Sequence, residues 1–206
     1  MHLAIPGIAA ASALALVFAL PRSTETTATP APAASPSTAA ATYQVDPVHS
    51  FVLFRVKHMN ASYAYGRFNE LSGSIVFDDA KPEGSSVTME VKTDSIDTGN
   101  GKRDQHLKSA DFFNAKEFPT ASFKSKSVKK SAKGLDVSGD LTIHGETKPA
   151  TITMEHVGSG KGPQGGEVTG FEGAIVVKRS DFGMKSYLEM LGDEVTIKIS
   201  VEAAKK

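Results

Sequence analysis

Six histidines, His2, His49, His58, His106, His144 and His156, are the first residues to weigh for metal or acid–base chemistry. None has the His-Glu-x-x-His spacing that would set two imidazoles on one helix face around a zinc ion. His49 and His58 lie close in the run V-H-S-F-V-L-F-R-V-K-H-M, nine residues apart. On one strand that separation is roughly 30 Å, and because it is odd the two rings face opposite ways. They cannot share a metal unless the strand breaks, although a site assembled from different strands stays open. Isolated histidines of this kind are more often structural than ligating.

Other catalytic patterns fail on residue type. Gly158-Ser159-Gly160-Lys161-Gly162 has the look of a phosphate loop, but Glu155 stands where the first glycine is needed and Gly162 replaces the Ser or Thr that would hold magnesium. It reads as a flexible hairpin loop. No Gly-x-Ser-x-Gly elbow supplies a serine nucleophile. The absence of cysteine excludes thiol catalysis, disulfides, cysteine-ligated zinc, iron–sulfur clusters and a lipoprotein-type anchor. Carboxylates are plentiful, but most stand at turns (Asp78, Asp79, Asp193, Glu194) or on the outer phase of strands (Glu90, Glu155, Glu172), and nothing singles out a glycosidase pair. Lys plus Arg equals Asp plus Glu at 23 each, so no net field draws the chain to nucleic acid.

The elements that would position any chemistry follow from periodicity. Leu3 to Leu20 is apolar and uncharged and then gives way to Pro21-Arg22-Ser23-Thr24, so residues 1–20 read as an export signal or an uncleaved signal anchor. Residues 21–42 are rich in Pro, Ala, Ser and Thr with no large apolar side chain, which makes them a linker. Both alternatives place a single domain, residues 43–206, outside the cytoplasm: periplasmic or secreted, or tethered to the inner membrane.

From Tyr43 onward the apolar residues recur with period two. Val52, Phe54 and Val56 share one face of the first run, and the opposite face carries Arg55 and Lys57, so the first set turns inward. The same alternation marks Ile75 and Phe77, then Val87, Met89 and Val91, then Ala121 and Phe123. It continues through Leu135 to Ile143, Ala150 to Met154, Phe171 to Val177 and Val195 to Val201, which makes eight strands. Short connections at 79–84, 133–134, 144–149 and 158–166 imply antiparallel neighbours. Eight such strands close most simply into an all-β barrel, which leaves no exposed edge.

Two stretches break the pattern. Lys102 to Ala110 reads as a short helix capped by Asn100, and Ser180 to Gly192 as a loop or helical turn. These are the expected lids. An eight-stranded barrel is either filled by its side chains or holds one small ligand. With almost no inward charge, any cavity here is dry and suits a chain lipid; composition alone leaves the solid core equally open.

Several motifs, in order, then carry a resemblance. Asp46-Pro47-Val48-His49-Ser50 is followed by Val52-x-Phe54-x-Val56-x-His58-Met59 and Gly66-x-Phe68. Ser95-Ile96-Asp97-Thr98 precedes Arg103-Asp104-x-His106-Leu107-x-Ser109-x-Asp111-Phe112-Phe113 and Phe118-Pro119. Gly139 to Gly145, Arg179-x-Asp181-Phe182-Gly183 and Gly192-Asp193-x-Val195 complete the set. Together they resemble the YceI-like family of exported lipid-binding proteins, with Tyr43 where that family frequently has tryptophan.

The resemblance implies a lipocalin-like eight-stranded antiparallel barrel with one short helix and lid loops. It implies non-catalytic binding, storage or transport of a long apolar lipid: a polyisoprenoid such as a quinone or polyprenyl lipid, or a fatty amide. No cofactor is expected beyond that bound lipid. On this reading the cavity is lined by Val52, Phe54 and Val56, by Phe68, Ile75 and Phe77, and by Met89 and Phe123. Ile143, Met154, Ile175 and Ile197 complete the lining, and Phe112, Phe113 and Phe182 close it. Arg103 and His106, at i and i+3 on the helix, either meet a polar head group or tie the helix to the barrel; His58 is a further polar candidate. The alternative is a redox or enzymatic accessory acting on such a lipid through His58 or His106. A membrane cytochrome of the b561 kind is the partner the resemblance suggests, and a homodimer is an assembly it allows.

Overall fold

The computed structural model describes residues 40–206. The signal or anchor and nearly all of the linker therefore lie outside the described residues. Eleven strand segments form one antiparallel sheet: β1 (Ala41–Val45), β2 (Phe51–His58), β3 (Ser62–Phe68), β4 (Leu71–Phe77), β5 (Ser86–Lys92), β6 (Ile96–Asp97), β7 (Thr120–Ser131), β8 (Gly134–Ile143), β9 (Glu146–Lys161), β10 (Glu167–Lys178) and β11 (Leu191–Lys205). The eleven are eight strands, three of them bent. β1 and β2 both pair with β11, β3 continues into β4, and β5 continues into β6. The order is an up-and-down meander, and the pairing of β1 with β11 closes it into a barrel.

Two of the bends have a polar reason. Between Val45, opposite Ala203, and Phe51, opposite Ser200, the β1–β2 side carries more residues than β11. The surplus is absorbed by a turn in which Asp46 accepts from the Val48 amide and binds His49. Ser50 then restores the wall: its hydroxyl donates to the Glu202 carbonyl at 3.1 Å and accepts from the Glu202 amide at 3.0 Å. At the β5–β6 bend, Thr93 is fully buried and ties its amide to the Pro119 carbonyl and its hydroxyl to the Phe118 carbonyl.

Inward alternation is cleanest in β8, where Leu135, Val137, Gly139, Leu141 and Ile143 are buried in every second place. Three boundaries differ from the periodicity reading. Ala41 and Thr42, read as linker, already belong to β1. The β8–β9 turn is only His144 and Gly145, both with positive φ, so the chain reverses in two residues and Pro149 sits in β9. The glycine-rich segment is ladder as far as Lys161, paired with β10 through Gly158 opposite Gly170, Gly160 opposite Val168 and Lys161 opposite Glu167.

A meander places successive connections at alternate ends. One end carries the short turns 78–85, 132–133 and 162–166 together with both ends of the barrel chain. The other carries 59–61, 144–145 and both long connections, 98–119 and 179–190. The long connections thus meet over one mouth. The helix α1 (Gly101–Lys108) lies in the first of them, and Asn100 caps it by accepting from the Arg103 amide.

Candidate functional site

The barrel is solid at the short-turn end and hollow above it. Tyr43, Thr169 and Ala203 are buried there at 4, 1 and 0 % exposure. The His156 ring sits against both Phe77 and Phe171, with centroids 4.8 and 5.0 Å away, and its Nε2 meets the Thr169 hydroxyl at 3.0 Å. Above Phe77 and Phe171 a cavity of about 220 Å³ opens. Its surface is wholly apolar, although Arg179, Glu90 and three serines contribute to it.

The walls come from every strand direction. β2 supplies Val52, Phe54 and Val56; β3 and β4 supply Phe68, Ile75 and Phe77; Met89 and Phe123 come from β5 and β7. Ile143, Met154, Ile175 and Ile197 project from the last four strands. Lining positions on β11 run from Leu191 to Val201; because the register shift between Leu191 and Val195 takes up two residues against β2, the rise is ~26 Å along the strand and, at a barrel tilt near 40°, roughly 20 Å along the axis. A volume this small over that length describes a tunnel, suited to an extended chain rather than a compact ring system.

The long connections form the ceiling. Leu107 of α1, Phe112, Phe113, Met184 and Leu191 face the cavity from above. Phe113 meets Phe68 edge-on at 5.5 Å, and Phe68 in turn lies 5.8 Å from Phe54, so aromatic contacts run from wall to ceiling. The Phe54 ring has room because residue 66 is glycine: a Cβ there would stand 2.3 Å from its Cζ. Phe112 stacks on Tyr187 at 5.9 Å, which joins the two connections to each other.

Four residues named from the sequence do not line the cavity. His58 is exposed at the upper end of β2. Arg103 donates through Nε and Nη2 to the hydroxyl and carbonyl of Thr98, tying the helix to the chain before it. His106 meets Asp111 at 3.0 Å and packs its ring against Phe112 and Tyr187. Phe182, within the second connection, is buried at 3 % exposure, and its carbonyl accepts from His144 Nδ1 at 3.1 Å.

Sequence reasoning gave no role to Arg179. This guanidinium is 5 % exposed and donates to four main-chain carbonyls: Gly192, Met184, Ser186 and Leu191, at 2.8–3.1 Å. Burial pushes its pKa down, opposed by the charge of Asp193. Asp193 anchors the other side by accepting from the amide and hydroxyl of Ser180. An arginine closing a strand just before an irregular Gly-containing connection was the available signal.

Among the described residues one group could offer a metal three ligand atoms. Asp46, His49 and Glu202 bring theirs within 4.8 Å of one another at the β1–β2 bend. The group lies outside the cavity, and His49 Nδ1 is already engaged by Asp46 at 2.7 Å. That bond raises the His49 pKa and lowers that of Asp46.

Residues 43–203 match the YceI-like domain. A UPF0312 protein of Pseudomonas aeruginosa is 42 % identical over 169 residues, covering 81 % of this chain and 88 % of the relative. The crystal structure of BcnA from Burkholderia cenocepacia superposes with a TM-score of 0.71 at 29 % identity, over 77 % of this chain and 99 % of that one. A polyisoprenoid binding domain from Saccharophagus degradans, implicated in plant cell wall breakdown, shares the fold at TM-score 0.59 and 16 % identity, over 80 % and 98 % of the two chains.

Proposed function

The chain belongs to the YceI-like family, and from that premise we propose that it binds and carries a long apolar lipid in the barrel tunnel, without covalent chemistry. The observation that carries this reading is the wholly apolar tunnel beneath a ceiling of apolar side chains. Burying methylenes is worth ~0.8 kcal/mol each, so ten of them amount to ~8 kcal/mol before ordering costs, enough for tight binding with no polar anchor. A polyisoprenoid or another extended hydrocarbon chain satisfies this shape, and the fold shared with a polyisoprenoid binding domain supports the same class. The histidines an enzymatic reading would need stand off the tunnel, His58 exposed and His106 bonded to Asp111. Export, read from residues 1–20, and exchange with a membrane cytochrome partner belong to the same proposal.

Organic extraction of protein purified from its native host, followed by mass spectrometry, tests it. The expected result is one chain lipid per barrel. A protein that releases no lipid and takes up none from vesicles overturns the proposal.

A further inference from the structure

Two hollows approach each other at the closed end of the barrel. At this end the tunnel is lined by Phe77, Leu135 and Phe171, with Ser85 and Ser86 beside them. Outside lies a crevice lined by Asp79, Pro82, the 130–134 turn, Glu155 and His156, and it too is lined by Phe77 and Leu135. These two side chains line both hollows and so stand between them, whereas toward β1 and β11 the end is filled by Tyr43, Thr169 and Ala203. Phe77 is held in place by edge contacts to His156 and Phe171, each about 5 Å between centroids. His156 is fixed in turn by Thr169 and Ser159.

We propose that Phe77, braced by His156 and Phe171, is the length stop of the tunnel and sets the longest chain the protein can fully bury. The inference rests on the lipid-binding reading and adds the residue that determines chain-length specificity. The opposite mouth is covered by connections rather than by ladder, so a chain enters from there and its tail runs down to the Phe77 ring. Each further methylene gains burial until the tail touches that ring. Beyond that point it must stay at the mouth and gains nothing.

The test uses the full chain, stripped of lipid, and straight-chain primary alkyl amides of increasing length. For the native protein affinity should rise roughly fourfold per added methylene and then level off at one length. In Phe77→Ala the partition opens into the outer crevice, and the levelling point should move to longer chains. Val137→Phe places a ring one inward step above Leu135 and should move it to shorter ones, which keeps the test decisive if the alanine variant does not fold by circular dichroism. A folded Phe77→Ala whose levelling point is unchanged overturns the length stop while leaving lipid binding intact, as does an unchanged point in Val137→Phe. A native protein that binds no amide of any length overturns the lipid reading itself, and the stop with it.

Discussion

At the scale of the residue, the polar side chains of this barrel do structural work at its ends, and the one with the largest displaced titration is Tyr43. Its phenol is 4 % exposed and donates to the Glu167 carboxylate. Burial first, then the hydrogen bond and the charge of Glu167, push its pKa up to about 12 from an ordinary 10.0. The fold thus prefers the protonated phenol. Its contribution is complete below pH 10 and is lost as the pH climbs toward 12. Alkaline unfolding followed by circular dichroism and tyrosinate absorbance should show stability falling over that interval, and Tyr43→Phe should flatten the fall. Little of this was legible in the sequence. Tyr43 is recognisable as a strand residue, but its partner is more than a hundred positions away, and only barrel closure brings β1 to the strand end that carries Glu167.

The elements were legible where alternation is local. Val52, Phe54 and Val56, or Leu135, Val137, Leu141 and Ile143 of β8, are read by period two alone, with Gly139 the one buried position of β8 that apolar alternation does not mark, and all eight strands are found this way. The bends at 46–50, 69–70 and 93–95 were not, because each is a tertiary bargain: Ser50 looks like the next inward residue of a strand, and only Glu202 shows that it patches a break. The second long connection, 179–190, is the extreme case. It has almost no ladder of its own, and Arg179 holds its shape from beneath through four carbonyls. Removing that side chain takes the donor from one buried and three half-buried carbonyls. Arg179→Ala should cost about 3–5 kcal/mol in denaturant unfolding, with amide exchange rising first across 183–192. Arg179→Lys should recover little, since a single ammonium cannot reach carbonyls spread around a planar fork.

For the whole molecule, closing eight strands leaves an interior that side chains fill only at one end. An unfilled cavity costs ~24 cal/mol per Å³ relative to a packed core, so about 220 Å³ of hollow corresponds to about 5 kcal/mol forgone. That is a large share of the 5–15 kcal/mol typical of a domain, and it is the stability a bound chain would restore by mass action. Filling the hollow with protein instead should therefore have two opposite effects. Val137→Phe should raise the melting temperature of the lipid-free protein, at about 2–4 °C per kcal/mol, and should shrink the further rise that a saturating long-chain amide produces. Thermal unfolding of both proteins, with and without the amide, reads both effects at once. A barrel whose core were already complete would respond the other way, with the added ring overpacking it and lowering the melting temperature in either condition.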